Sequence, residues 1–85
     1  MVSFHYVIKD EVGIHARPAG QLVKEATNYV DDIQISCKGK TVDMKRLMAL
    51  LSLGAKKDDE VTVEVTGDSE VETAEKLELY FTENL

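Results

Sequence analysis

The chain has no tryptophan, a single proline and a single cysteine, and only two histidines among its 85 residues. Cys37 has no second cysteine to pair with, so a disulfide framework is excluded and a reducing, cytoplasmic location is expected. No apolar run approaches the roughly 20 residues that cross a bilayer. The opening "MVSFHYVIKDE" lacks the basic stretch and long apolar core of a secretory signal. Low-complexity tracts and fixed-period repeats are also missing, which argues against disorder and against a solenoid. The formal net charge is −6, and a nucleic-acid binder would need clustered Lys and Arg for phosphate contacts, so neither nucleic acid nor membrane insertion is expected.

Eighty-five residues suffice for one domain, residues 1–85, with one two-layer core, but not for an active-site cavity buried deep inside it. Function is therefore expected on the surface. The charge is uneven along the chain. Residues 1–50 hold seven Lys/Arg and six Asp/Glu, a net of +1, whereas residues 51–85 hold three and ten, a net of −7.

Val2, Phe4, Tyr6 and Ile8 alternate with Ser3 and His5, the period of a strand with one buried face. From Ala16 to about Thr27, Ala19, Leu22, Val23 and Ala26 fall on one helical face, and Pro18 lies in the first turn, where a missing N–H is harmless. Gly20 within that helix should cost up to about 1 kcal/mol relative to alanine. "DDIQISC" alternates Ile33, Ile35 and Cys37, which makes Cys37 a small strand residue rather than a nucleophile. "KGK" then suggests a hairpin into "TVDM".

"MKRLMALLSLG" predicts a short helix ending at Gly54. Leu50 and Leu53 can reach the core, but Leu47, Met48 and Leu51 cannot all join them, so apolar surface should stay exposed. Val61, Val63 and Val65 mark the clearest strand. A last helix follows, with Asp68 or Ser69 as cap and Val71, Ala74, Leu77 and Phe81 facing inward. The order βαββαβα predicts an α+β open-faced two-layer sandwich, with a four-stranded antiparallel sheet covered on one side by three helices.

"GIHARPAG", residues 13–20, carries the chemistry. His15 falls at the start of the first helix, where N–H groups lack intrahelical partners and the helix dipole favours an anion. The backbone N–H groups of Ala16 and Arg17 can face a group carried by His15, and the Arg17 guanidinium offers bidentate donors suited to phosphate oxygens. Imidazole is nucleophilic near neutral pH and also departs readily, which suits a phosphoryl group taken up and passed on. A histidine before a helix can equally be a plain cap or surface residue, and both readings stay open on these grounds. Neither a metal cluster nor a cofactor is implied, and His5 reads as a solvent-facing strand residue.

With "GIHARPAG" and "GKTVDMKRLMALLSLG" at their spacing, the whole chain resembles the HPr family, the histidine-containing phosphocarriers of the bacterial phosphoenolpyruvate-dependent sugar phosphotransferase system. The resemblance implies a non-enzymatic carrier whose His15 is phosphorylated on Nδ1 by enzyme I and hands the group to the IIA domain of a sugar permease, with Arg17 steadying the phosphoryl oxygens. It implies docking through Leu47, Met48 and Leu51 inside a rim of Arg17, Lys24, Lys45 and Arg46, and a monomer whose acidic half is turned away from this face.

Many relatives carry a regulatory serine at position 46. Arg46 cannot be phosphorylated by the ATP-dependent HPr kinase, so the seryl switch is expected to be absent, with Ser52 as a weaker alternative acceptor. Arginine there also disfavours the helix start, which leaves Asp43 as a possible cap. Val12 replaces a frequent small polar residue and removes a hydrogen bond near the loop. A regulatory protein that binds partners without carrying phosphate is the rival reading, and a purely regulatory relative would be expected to lose the histidine and keep the serine.

Overall fold

The computed structural model describes residues Met1–Leu85. The elements are β1 (Val2–Val7), α1 (Ala16–Ala26), β2 (Asp32–Cys37), β3 (Lys40–Asp43), α2 (Leu47–Ser52), β4 (Glu60–Thr66) and α3 (Glu70–Asn84). They form one four-stranded sheet in the order β1-β4-β2-β3, with every neighbouring pair antiparallel. This is the open-faced α+β sandwich expected from the hydrophobic pattern. None of the helices is long and apolar enough to cross a membrane.

Strand alternation determines which face is covered. Phe4, Ile33, Ile35, Cys37, Val61, Val63 and Val65 are buried beneath the helices. Their in-between neighbours Ser3, His5, Gln34, Thr62 and Glu64 line up in register on the other face. There the His5 ring Nδ1 lies 2.9 Å from Thr62 Oγ1. Burial pushes the Cys37 thiol above its ordinary pKa, with Asp59 adding to the effect. A largely neutral, buried thiol fits the role of a small strand residue.

The hairpin after Cys37 turns through Lys38 and Gly39, both at positive φ. Helix α2 is shorter than the sequence pattern suggests, beginning at Leu47 because the chain first turns at Asp43, whose Oδ1 accepts the Lys45 N–H at 2.9 Å. Arg46 occupies the N-cap without a side-chain cap, so the Asp43 carboxylate closes the preceding turn rather than capping the helix.

The last helix corrects one core assignment. Val71 is 59% exposed and Thr73 is buried in its place. At 100° per residue Val71 lies roughly 105° from the mean direction of Thr73, Ala74, Leu77 and Phe81. Thr73 can sit inside because its hydroxyl donates to the buried Asp31 Oδ1 at 2.7 Å. The other Asp31 oxygen accepts the Ser69 N–H at 3.1 Å, and so ties the start of α3 to the start of β2. Ser69 is the N-cap by position but forms no side-chain cap, and Glu70 instead accepts the Gly67 N–H. Deeper in the helix, Phe81 meets the rings of Phe4 and Tyr6 edge to face at 5.7 and 5.6 Å, which fastens α3 over β1.

Asp31 is 3% exposed. The Thr73 hydroxyl first, then the Ser69 N–H and the nearby Lys45 charge, hold its carboxyl below the usual aspartate range against the opposing effect of burial. A folded-state pKa below the unfolded value of about 3.9 contributes stability that is present above that pH and is lost as the pH falls through the folded value. Thr73→Val is therefore expected to lower the urea midpoint at neutral pH and to shrink the loss of stability below about pH 4. Equal losses in variant and parent at pH 7 and pH 3 would refute this.

Gly20 costs helix stability without a packing reason, since a Cβ built there meets nothing within 4 Å and its φ is not positive. Gly20→Ala is expected to stabilise the fold by about 0.5–1 kcal/mol, measured as a raised urea midpoint at unchanged slope.

Candidate functional site

The loop between β1 and α1 is held to the rest of the fold mainly through its backbone. Ile8 N–H donates to Asp59 O at 3.0 Å and Asp58 N–H donates back to Ile8 O at 2.8 Å. Asp10 Oδ1 accepts the Val12 N–H at 3.0 Å, so a carboxylate closes this turn with valine at position 12. Gly13 follows at φ +78°, and Ile14 is buried, its N–H bonded to Ala55 O at 2.9 Å. A Cβ at Gly13 would lie 2.5 Å from Ala55 O and 2.6 Å from Lys56 Cα. The loop thus rests directly on the segment that leaves α2.

His15 is set at the end of this braced loop. It is exposed, extended (φ −117°, ψ −168°), and forms the N-cap of α1 with its carbonyl bonded to Ala19 N–H at 2.8 Å and its ring in no cap interaction. Ala16 and Arg17 are the first helical residues, so their N–H groups have no acceptor within the helix, and the third position is Pro18, which has none to offer. There is no carboxylate in the first turn to compete for this positive end. The ring, two peptide donors and the Arg17 side chain belong to one exposed helix start, which can hold a dianionic group attached to the imidazole.

The neighbouring surface combines apolar and cationic groups. Met48 is 77% exposed and Leu47 41%, with Leu51 half-buried beside them. Arg17, Lys24 and Arg46 are exposed and form no ion pair, as the three ion pairs present join Met1 to Glu70, Lys38 to Asp59 and Lys76 to Glu72. Lys45 is different. Its Nζ donates to Tyr29 O and Asp31 O, both at 2.7 Å, and the residue is half-buried, so it is not the free rim cation that its sequence neighbours suggest. His5, on the uncovered sheet face, is not part of this surface. No group of three or more His, Cys, Asp or Glu side chains is placed to hold a metal ion.

A family model described as the PTS HPr component phosphorylation site matches residues 2–83. The chain belongs to the HPr family. Among solved structures it is similar to HPr-C-His from Thermoanaerobacter tengcongensis, at 30% identity and a TM-score of 0.93 over 99% of this chain and 94% of that one. It is also similar to the phosphocarrier protein HPr from Bacillus anthracis str. Ames, at 32% identity and a TM-score of 0.87 over 94% and 95%. Crh, the catabolite repression containing protein of Bacillus subtilis, shares 35% identity with a TM-score of 0.77 over 100% and 98%, in a crystal structure described as a domain-swapped dimer. The HPr phosphocarrier fold thus accounts for the whole chain described above.

The sequence pattern did not single out Ala55 and Lys56 as the floor of the His15 loop. They lie far from it along the chain, and only Gly13, with its need for a positive φ and a bare Cα, hinted that backbone packs there.

Proposed function

We propose that this HPr-family chain carries a phosphoryl group on His15 between enzyme I and the IIA domains of sugar permeases. The supporting observation is the exposed imidazole at the N-cap of α1, free of any capping role and adjoining the unbonded N–H groups of Ala16 and Arg17. In the first step the Nδ1 lone pair attacks phosphorus, the Nδ1–P bond forms and the donor's own bond to phosphorus breaks. In the second step that bond breaks in favour of a nucleophile on the IIA domain. The ring is first nucleophile and then leaving group, so the chain is a cosubstrate rather than an enzyme. Arg17 and the two N–H groups stabilise the transferred oxygens in both steps.

Docking uses Leu47, Met48 and Leu51, ringed by Arg17, Lys24 and Arg46, on acidic partner surfaces. A monomer in the cytoplasm serves this role, because one face is shown to successive partners. Arg46 leaves no hydroxyl at the position of the seryl switch, so regulation by HPr kinase does not act there.

The test is to incubate the protein with phosphoenolpyruvate and a competent enzyme I. An acid-labile, base-stable phosphate on this chain supports the proposal, and its absence defeats it. The likeness to Crh raises a second reading, a binding-only regulator, which predicts no such label. Adding HPr kinase and ATP should give no acid-stable phosphoserine, and finding one, at Ser52 for example, would contradict the reading of Arg46.

A further inference from the structure

Helix α2 presents the apolar docking residues, yet little in its own sequence holds it in place. It has six residues, no side-chain N-cap and one buried residue, Leu50. A helix this short is not stable by propensity. Its position is instead fixed at both ends by lysines. Lys45, just before the helix, donates to Tyr29 O and Asp31 O at 2.7 Å, fixing its entry to the turn between α1 and β2. Lys40, on the edge strand β3, donates to Ser52 O at 3.1 Å and Ser52 Oγ at 3.0 Å, closing the C-terminal end, while the Ser52 hydroxyl donates to Ala49 O at 2.6 Å. Both ammonium groups are engaged by this chain's own oxygens. We infer that Lys40 and Lys45 are positioning residues for partner recognition, acting through the placement of α2 rather than by touching the partner.

This inference rests on the docking role proposed for Leu47, Met48 and Leu51, and it distinguishes two kinds of lysine on one surface. A free rim cation attracts an acidic partner through solvent, so its loss raises KM and also weakens the salt dependence of transfer. A positioning lysine keeps its unit charge, but its loss also raises KM at high salt, where attraction through solvent is screened. Its loss lets α2 leave its docking-competent placement, which raises KM by lowering the competent fraction while phosphoryl transfer in the bound complex keeps its kcat.

The experiment has two arms. In the first, hydrogen exchange is read at the Leu50 and Leu53 amides, which donate to Arg46 O and Leu50 O. Lys45→Met and Lys40→Met are each expected to speed exchange in α2 about tenfold, well beyond any change at Val63 in β4. Acceleration that is no greater in α2 than at Val63 signals general destabilisation and overturns the inference.

In the second arm, transfer from phosphorylated enzyme I is measured at low and high salt. Both variants should raise KM about threefold or more at high salt as well as at low salt, with kcat retained, whereas the effect of Arg46→Gln should fade at high salt. An unchanged KM, or a KM effect in the lysine variants that fades at high salt as in Arg46→Gln, overturns the inference. Lys40→Met keeps both arms interpretable if Lys45→Met fails to fold. Should the parent protein take no phosphate at all, the proposed function has failed, while the exchange arm still reports whether the lysines hold α2.

Discussion

His15→Ala is expected to abolish acid-labile labelling by phosphoenolpyruvate and enzyme I while leaving the fold almost untouched. The two halves of this expectation have separate causes. Labelling disappears because His5, the other histidine, lies on the uncovered sheet face beside Thr62, away from the start of α1. No other group in "GIHARPAG" has a lone pair of comparable nucleophilicity at neutral pH. Stability survives because the ring is exposed and makes no cap bond, so its removal should change unfolding free energy by no more than about 0.5 kcal/mol. The measurements are phosphate incorporation and urea denaturation on the same preparation. Label retained in the variant would place the acceptor elsewhere, and a large loss of stability would give His15 a structural role that its surroundings do not show.

Gly13→Ala should produce the converse, an intact histidine on a damaged support. Two independent penalties combine at this residue. A side chain at φ +78° costs about 1–2 kcal/mol. The new methyl also meets Ala55 O and Lys56 Cα at 2.5 and 2.6 Å, and both are backbone atoms that cannot rotate away. Overpacking of that kind costs about 1–3 kcal/mol, which gives about 2–5 kcal/mol in all. Relief requires the loop to lift from the 55–56 segment, straining the bond from Ile14 N–H to Ala55 O and shifting His15 relative to α2. Transfer from enzyme I should therefore fall even at temperatures where the variant remains folded. Denaturation together with the rate of labelling checks both effects, and a variant as stable as the parent would show that Gly13 does not brace the loop.

Much of the fold was legible from side-chain periodicity. Alternating Ile33, Ile35 and Cys37 and then Val61, Val63 and Val65 identify the strands buried on one face, because pleating sends alternate residues to opposite sides. The site itself was legible as a motif, since a histidine, an arginine and a proline at a helix start form a local constellation. What sequence spacing did not show were contacts made across the fold. Val71 fits the inward face of a helical pattern, but the buried position goes to Thr73, for which Asp31 supplies a partner 42 residues away. Lys45 resembles its exposed neighbours in sequence, yet its ammonium donates to two carbonyl groups on the turn after α1. In both places a hydrogen bond across the fold outweighs the local pattern, and such a bond leaves no trace in a periodicity.

The strand order also governs when the site can exist during synthesis. β4 is the last strand made, yet it lies inside the sheet between β1 and β2. Until it emerges from the ribosome, β1 has no neighbour to pair with, and the floor supplied by Ala55 and Lys56 to the His15 loop is not yet fixed. Pairing residue 2 with residue 65 is a long loop closure, of the kind that slows folding and keeps strand edges open meanwhile. The support under His15 is thus completed only after β4 has been made, so a nascent chain stalled before β4 would display "GIHARPAG" without the contacts that place His15.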